Sequence, residues 1–405
     1  MSGRPFGFVF GAVLFATLLC CAAPAAGQNA PAEGGFRAFL AALWPQAQER
    51  GISRATFEEA FAGLSEDPSI PAALAQQPEF GQLLSAYFGA AVTAARIAEG
   101  RALAERYRGE LAEVERRSRV PGGIVLAAWG MESDYGRERG DKDVVRSLAT
   151  LAFQRRPNGL FVDELLSALV LLQKGMPRQN LKGSWAGAMG DPQFLPSAFL
   201  KYAVSYSGQG FADIWNKPAD TLASIGNFLR ASGWTRDLPW GREVILPPHF
   251  TFANLHADFR DFAALGVRAA DGAALPAGKA TLFLPGGAAG PAFLLSDNYW
   301  VLKAYNNSDS YALSLGCLAD RIEGQGGLHR AWPKRQKLWS RDEKLEIQKL
   351  LARLNLDRGT FDGKFGQASR DAIHEFQIEA HDGPADGIGG PDLLELLRAK
   401  AKGGE

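Results

Sequence analysis

Between Phe36 and about Gly233, apolar residues recur at the spacing of an α-helix. Two examples are the set Phe36, Phe39, Leu40 and Leu43 and the set Leu165, Leu169, Leu171 and Leu172. Intervals of three and four residues place side chains on one face of a helix. Alanine is abundant, and prolines fall mostly where a helix would begin, as at Pro121. This stretch therefore predicts a mainly α-helical domain.

The pattern changes after Pro239. The runs REVILPPHF, KATLFLPGG, PAFLL and YWVLKAYN are β-prone and are separated by glycine and proline. They predict a small antiparallel β-containing insert. The polar, glycine-rich stretch EGQGGLHRAWPKRQK follows and is predicted to be a linker.

Residues 338–405 are predicted to form a separate small domain. Ser340 and Glu343 have the spacing of a capping box before a leucine-bearing helix. Two segments then repeat one plan, an Asp-Gly turn followed by a helix: FDGKFGQASRDAIHEFQ and ADGIGGPDLLELL. Three helices of this kind can share one core. The predicted fold class is therefore mainly α (α+β), with one domain over residues 27–335 and another over 338–405.

The composition excludes several classes of partner. The chain has 405 residues, enough for two or three globular units. Its 44 Lys and Arg balance 44 Asp and Glu, so no basic surface for nucleic acid is expected.

The N-terminus has the pattern of a secretory signal peptide. Arg4 precedes an apolar run from Phe6 to Leu19, and small residues follow up to Ala26. We expect residues 1–26 to be removed and the protein to be periplasmic. Cys20 and Cys21 leave an alternative, lipid attachment that would place the protein on the outer membrane. Contact with a membrane is expected only in that case.

The stretch GIVLAAWGMESDYG, residues 123–136, is an apolar helix that ends near a single carboxylate. Spacing places Glu132 on the same face as Trp129, so burial and a raised pKa are expected. Such an acid can donate a proton to a departing glycosidic oxygen. The alternative is a glutamate that caps a loop amide or pairs with Arg137 or Arg139.

Most glycoside hydrolases need a second carboxylate. Asp134 is nearest in sequence, but two helical positions turn it about 200° away from Glu132. Asp191 could lie close in space. If neither serves, one residue must act first as acid and then as base, and the substrate must supply the nucleophile.

Four segments resemble the membrane-bound lytic murein transglycosylase B family. They are residues 120–136, LKGSWAGAMGDPQFLPSAFLKYA, DIWNKPADTLASIGNFLRASGW and YNNSDSYALSL, and the likeness runs from about Phe36 to Trp332. Residues 338–405 resemble the three-helix peptidoglycan-binding module that is commonly joined to such enzymes.

The resemblance implies a lysozyme-like core that cleaves the β-1,4 bond between N-acetylmuramic acid (MurNAc) and N-acetylglucosamine (GlcNAc) in peptidoglycan. The product would be a 1,6-anhydro sugar. Glu132 matches the catalytic glutamate, which would protonate the leaving oxygen and then take the proton of the muramoyl C6 hydroxyl. The substrate's N-acetyl group would assist at C1.

Five further positions match motifs of the family and are expected to bind substrate: Ser184, Gln193, Tyr305, Asn306 and Tyr311. Ser184 and Gln193 would hold N-acetyl and hydroxyl groups. Asn306 would donate an amide hydrogen near C1, and the two tyrosines would form walls or hydrogen-bond Glu132. The tryptophans 129, 185 and 215 are expected to be core residues.

No cofactor and no metal are expected. Some family members carry a calcium loop just before the DIW segment, but here that stretch reads SYSGQGFADIW. Ser205, Ser207 and Gln209 replace acids, and calcium requires about six to eight oxygen ligands, several of them charged. The histidines show no pair at helical spacing.

Two other functions remain open from the sequence. One is a lysozyme-type peptidoglycan hydrolase, and the other is a non-catalytic cell-wall-binding protein. In every case the expected partner is the peptidoglycan glycan strand, with other cell-wall enzymes as further candidates.

Overall fold

The computed structural model describes residues 33–70, 82–155 and 159–402, except for residues 335, 358 and 382. The expected signal peptide, with Cys20 and Cys21, lies outside the described residues. The helices are α1 Glu33–Ala42, α2 Trp44–Glu49, α3 Arg54–Phe61, α4 Leu84–Ala91, α5 Ala94–Arg106, α6 Arg108–Ser118, α7 Gly122–Ser133, α8 Val144–Gln154, α9 Gly159–Gln173, α10 Pro196–Tyr202, α11 Pro218–Ala231, α12 Phe259–Ala264, α13 Asp297–Tyr305, α14 Asp309–Ile322, α15 Arg341–Arg353, α16 Gln367–Ala380 and α17 Leu393–Lys402. The strands are β1 Lys142–Asp143, β2 Lys182–Gly183, β3 Gly241–Ile245, β4 His256–Asp258, β5 Arg268–Ala269, β6 Lys279–Phe283 and β7 Ala292–Leu295.

The chain divides into two compact units. The described parts of Met1–Gln77 and Ala94–Ser232 form the first unit, and those of Pro78–Thr93 and Gly233–Glu405 form the second. Helices dominate and strands are few, which confirms the predicted α+β class.

Helix α7 is the buried centre of the first unit. Every residue from Gly123 to Ser133 is buried, and the helix packs against α5, α6 and α11. Small Gly and Ala side chains let neighbouring helices approach on all sides, and a helix that is apolar all round belongs in a core. A second group, in which α9 packs against both α8 and α10, completes this unit.

The second unit contains the expected antiparallel insert. Its sheet has the strand order β4-β6-β7-β3-β5. In the central pairing Leu282 lies opposite Leu294, and both leucines join Phe259 and Phe262 in one buried cluster. The runs REVILPPHF, KATLFLPGG and PAFLL supply β3, β6 and β7.

The fourth β-prone run, YWVLKAYN, was wrongly assigned. It forms most of helix α13, which begins after Ser296, whose hydroxyl accepts from the Asn298 backbone N–H. The residues buried in this helix are Asn298, Tyr299, Val301, Leu302 and Tyr305. Their intervals follow the helical period, so tertiary burial and the N-cap outweigh the β-propensity of the aromatic residues.

The C-terminal segment forms the three predicted helices α15, α16 and α17, which share a buried core that includes Trp339. The Ser340–Glu343 capping box is present. Each Asp-Gly turn is held by a glutamine from the preceding helix. Gln348 accepts from the Gly363 N–H and Gln377 from the Gly387 N–H.

The described part of the expected linker, residues 323–337, packs against other segments of the second unit. The Trp332 ring lies 5.6 Å from the Phe88 ring, and the Ser85 hydroxyl donates to the Gln336 amide oxygen at 2.7 Å. Glu243 accepts from the backbone N–H groups of His329 and Arg330.

Across the described ranges, no helix combines the length and the apolar character that a bilayer crossing requires.

Candidate active site

Glu132 lies in the last turn of α7 with 1% of its surface exposed, as its spacing from Trp129 predicts. Both arginines that were considered as partners bind other carboxylates. Arg137 pairs with Glu99 at 3.0 Å and Arg139 pairs with Asp191 at 3.0 Å. The structure thus places a buried carboxyl group at the end of an apolar helix.

The chain makes an unusual turn directly after Glu132. Asp134, Tyr135 and Gly136 have φ angles of 47°, 58° and 87°, a left-handed run that non-glycine residues rarely adopt. Tyr135 folds back, and its hydroxyl donates to the Arg96 carbonyl at 2.9 Å. A Cβ atom at Gly130 would lie 2.7 Å from the Tyr135 ring, so only glycine permits this packing. Backbone strain of this kind is frequent at functional sites.

Asp134 binds two arginines, in agreement with the different helix face that its spacing from Glu132 predicts. It is the C-cap of α7, and its carboxylate pairs with Arg96 at 3.2 Å and Arg137 at 3.4 Å.

A polar network joins the end of α7 to the segment that contains Gln193. The Ser133 hydroxyl donates to the Asp191 carbonyl at 2.8 Å and accepts from the Gly136 N–H at 3.0 Å. Arg139 binds the Asp191 carboxylate, and the Arg139 carbonyl accepts from the Gln193 side chain at 3.0 Å. The contacts of Ser133 and Arg139 with Asp191 and Gln193 were not predicted from the sequence, because these partners lie more than 50 residues away in the chain.

Asp191 is the second carboxyl group near this helix end. Burial raises its pKa to about 6, although the charge of Arg139 acts in the opposite direction. Its side chain is 4% exposed and is held in an ion pair. That pairing suits a structural anchor better than a base that must activate water.

Gln193 shows two signs of a binding role. Its φ angle is 52°, and its side-chain nitrogen donates to the Arg139 and Gly190 carbonyls, which fixes the amide. Its amide oxygen is buried and has no hydrogen-bond partner among the described residues. A buried acceptor without a hydrogen bond destabilises the folded protein unless a ligand donates to it.

Ser184 organises the backbone of its own loop. Its hydroxyl accepts from the Ala186 and Ala188 N–H groups at 3.3 and 3.1 Å. Within the first unit the structure thus brings Glu132 and Gln193 into one connected region through Ser133, Asp191 and Arg139, and it places Ser184 on the adjoining loop.

The other three predicted residues lie in the second unit. Tyr305 ends α13, Tyr311 lies in the first turn of α14, and their stacked rings are 6.3 Å apart. Asn306 lies between these helices and is 4% exposed. Its amide nitrogen is buried without a hydrogen-bond partner among the described residues. Such a donor is suited to an acceptor oxygen of a ligand.

The expectation for the tryptophans holds for Trp129 alone. Trp129 is 3% exposed, whereas Trp185 and Trp215 are only partly buried. The Trp215 indole N–H donates to the Lys182 carbonyl, so the ring lies along the surface of its loop. Apolar spacing does not reveal this, since a tryptophan can cover a loop and still touch solvent.

The loop that could hold calcium is organised by a carboxylate in this chain. Asp220 accepts from the Tyr206 and Asp213 N–H groups, both at 2.8 Å, and Asp213 accepts from the Trp215 and Asn216 N–H groups. Among the described residues, no cluster of three or more His, Cys, Asp or Glu side chains is arranged for a metal. The donor set here does not fit calcium, because Asp213 is the single acid in the sequence of residues 203–217, and Ser205, Ser207 and Gln209 supply no charge.

Comparisons with known proteins show the family of this chain. A family model described as a transglycosylase SLT domain matches residues 35–320, and one described as a peptidoglycan binding domain matches residues 340–397. Membrane-bound lytic murein transglycosylase B of Escherichia coli is 29% identical over 211 residues, or 50% of this chain. That match spans 57% of the relative's own length.

Solved structures extend the likeness over most of the chain. SltB3 from Pseudomonas aeruginosa, in complex with NAG-anhNAM-pentapeptide, is 42% identical with a TM-score of 0.81, over 90% of this chain and 99% of that one. The Escherichia coli lytic transglycosylase Slt35, in complex with calcium, is 25% identical with a TM-score of 0.59, over 72% of this chain and 93% of that one. This chain therefore belongs to the transglycosylase SLT family, with a C-terminal peptidoglycan-binding domain.

Proposed function

We propose that this protein is a lytic transglycosylase that cleaves the β-1,4 bond between MurNAc and GlcNAc of peptidoglycan and leaves 1,6-anhydromuramoyl ends. The observation that carries the proposal is the nearly complete burial of Glu132 at the end of α7, in a chain of the transglycosylase SLT family. A complex of the relative SltB3 with NAG-anhNAM-pentapeptide supports this class of product.

Glu132 acts twice in the proposed reaction. As a neutral acid it donates its proton to the glycosidic oxygen that leaves C1. The resulting carboxylate then accepts the proton of the muramoyl C6 hydroxyl while that oxygen bonds to C1. Because the nucleophile belongs to the substrate, no second carboxylate is required, and proximity on one sugar ring accelerates the closure.

The binding roles follow from the open hydrogen-bonding atoms. The Gln193 amide oxygen accepts from an N–H or O–H group of the sugar, and the Asn306 amide nitrogen donates to a sugar oxygen. Ser184 shapes the loop beside Gln193. Tyr305 and Tyr311, which are almost fully buried, form walls or hydrogen-bond Glu132. The domain over residues 338–405 binds peptidoglycan and adds to the affinity for intact sacculi.

The proposed location is the periplasm, with residues 1–26 acting as a signal peptide. Cell-wall remodelling or turnover would be the setting of the activity. Lipid attachment at Cys20 or Cys21 remains the alternative form of the mature protein.

The test compares Glu132→Gln with Glu164→Gln on purified sacculi. Glu132→Gln should lower turnover by a factor of about 10²–10⁴ and leave glycan binding intact, because the amide cannot donate the required proton. Glu164 is a matched control, since it is also buried in the first unit but accepts from Ser197 at the start of α10. Glu164→Gln should lower the free energy of unfolding and retain turnover per folded molecule.

Mass spectrometry of the released muropeptides reports the reaction type. An anhydro end is one water lighter than the product of a hydrolase. Substantial turnover by Glu132→Gln would refute the assignment of the acid, and products with hydrated reducing ends would instead favour the lysozyme-type hydrolase. Release of no fragments by the parent protein would favour the non-catalytic binding protein.

A further inference from the structure

A buried arginine of the C-terminal domain, Arg370, contacts the segment that contains Asn306. Arg370 of α16 is 6% exposed. Its guanidinium donates to the Asp309 carboxylate at 2.6 Å, to the Gln367 side chain at 2.8 Å and to the Phe365 carbonyl at 3.2 Å. It also lies 4.9 Å from the centre of the Phe283 ring. Arg370 is therefore fixed from several sides.

Asp309 joins the two helices that flank Asn306. It is the first residue of α14, and its carboxylate accepts from Lys303 Nζ and from the Tyr299 hydroxyl of α13, both at 2.9 Å. Burial alone would raise the pKa of Asp309, but the charges of Arg370 and Lys303 hold it well below its usual range. The Asp309 carboxylate is therefore paired with two cations, Arg370 and Lys303.

The turn held in this way is the predicted substrate-binding turn, residues 305–311. The Ser308 N–H donates to the Asn306 carbonyl at 2.7 Å, and the Ser308 hydroxyl accepts from the Tyr311 N–H at 3.4 Å. Asp309 directly follows the short connection between α13 and α14, three residues after Asn306 and two before Tyr311. Any shift of Asp309 would therefore move Asn306 and Tyr311.

Other contacts seat the C-terminal domain on the sheet of the second unit. The Asp371 carboxylate lies 2.9 Å from His256 Nε2, and Asp386 accepts from the Ala288 N–H at 2.9 Å. His374 lies 2.8 Å from the Phe252 carbonyl, and Ala385 belongs to the buried cluster of the sheet. The Arg370–Asp309 pair is thus part of a continuous interface.

We propose that Arg370 is a positioning residue for the reaction. Resting on the proposed function, the C-terminal domain has a second task besides binding peptidoglycan: through Arg370 and Asp309 it fixes the turn of residues 305–311 in the conformation that meets the sugar. The enzyme without this domain would keep residues 305–311 but would lose the contact of Arg370 that holds them through Asp309.

The test uses the full chain with Arg370→Gln and the matched control Asp371→Asn. The two positions are adjacent on α16, and each variant removes one polar side-chain contact between the C-terminal domain and the rest of the second unit, with Asp309 or with His256. Arg370→Gln should lower kcat on soluble glycan strands about tenfold and keep sacculus binding within about twofold. Asp371→Asn should keep both values near those of the parent.

Hydrogen exchange separates this inference from the proposed function. In peptic peptides that contain residues 305–311, amide hydrogens should exchange at least tenfold faster in Arg370→Gln than in the parent protein. Their exchange rate in Asp371→Asn should equal that of the parent. This measurement needs no enzymatic activity. Arg370→Lys should restore at least half of the kcat that Arg370→Gln loses. It replaces Arg370→Gln in the exchange and kcat measurements if that variant misfolds. In an Asp309→Asn background, Arg370→Gln should have little further effect on exchange or kcat.

Exchange that is unaltered in Arg370→Gln, or altered equally in Asp371→Asn, would overturn the positioning role. A parent enzyme that releases no anhydro product would refute the proposed function alone, because the exchange comparison would still decide on Arg370.

Discussion

At the scale of single residues, two of the candidate binding groups are buried without hydrogen-bond partners in the described part of the chain. The Gln193 amide oxygen and the Asn306 amide nitrogen are of this kind among the described residues. Each such group costs about 1–3 kcal/mol in the empty protein. The burial of Glu132 could be predicted from its spacing to Trp129. Its link to Gln193 through Ser133 and Asp191 could not, because those contacts join residues far apart in the chain.

A buried acid outside the site predicts how stability depends on pH. Asp320 lines a cavity of about 390 Å³ together with Cys317, and burial raises its pKa to about 7, against a weaker opposing effect of the Trp240 indole N–H. The unfolded chain has a pKa near 3.9 at this residue. Between about pH 4 and 7 the folded protein therefore binds a proton that the unfolded chain has lost, and the free energy of unfolding falls as the pH rises.

Asp320→Asn should remove this dependence. We expect the variant to exceed the parent in unfolding free energy by on the order of 1 kcal/mol at pH 8 and to show no gain near pH 4. Urea unfolding at both pH values measures this. Asp271→Asn, a change at an exposed acid of the same cavity, should show no such trend. A difference between Asp320→Asn and the parent that is the same at both pH values would contradict the assignment.

At the scale of elements, the pattern of buried residues decides whether a segment forms a helix or a strand. The helix of Glu132 could be predicted from its apolar run after Pro121. The three C-terminal helices could be predicted from the Ser340–Glu343 capping box and from the two Asp-Gly turns, each followed by an apolar helical pattern. The run YWVLKAYN could not, since its aromatic residues favour strands while its buried positions follow a helix. Local propensity and tertiary packing disagree there, and packing prevails.

The loop of residues 203–217 offers an element-scale prediction. Asp220 accepts two backbone N–H groups of this loop, and its side chain is buried. Asp220→Asn leaves one of these donors facing an NH₂ group, so we expect a loss of about 2 kcal/mol in unfolding free energy. Chemical unfolding with excess calcium or with a chelator should give the same value for the parent. A calcium-dependent rise in stability would show that the loop binds the ion after all.

At the scale of the whole molecule, the C-terminal domain is both separable in sequence and anchored in structure. Its three helices have their own core around Trp339, which its sequence pattern indicates. Contacts such as the pair of Arg370 with Asp309 hold this domain against the rest of the second unit. The two residues lie 61 positions apart, so no local sequence pattern predicts their contact.

Removal of residues 338–405 should therefore affect more than targeting. The truncated chain loses Arg370 from the buried Asp309 and Ala385 from the cluster of the sheet. We expect the remaining protein to be less stable by roughly 3 kcal/mol, with slower cleavage of soluble strands as well as of sacculi. Arg398→Ala, which breaks an exposed ion pair with Glu346 inside the domain, is the control and should be close to neutral. A truncated chain with the parental melting temperature would show that the domain is only a tether.

Helix α4 shapes the order in which the protein can assemble. It is separated from the rest of its unit by residues 94–232, yet it packs against α14, and its Phe88 touches Trp332. During synthesis from the N-terminus, α4 is made long before α14. Until α14 has been made, the apolar face of α4 that packs against it stays exposed. Completion of the second unit thus depends on the last third of the polypeptide, and nascent chains halted earlier would be targets for chaperones and proteases.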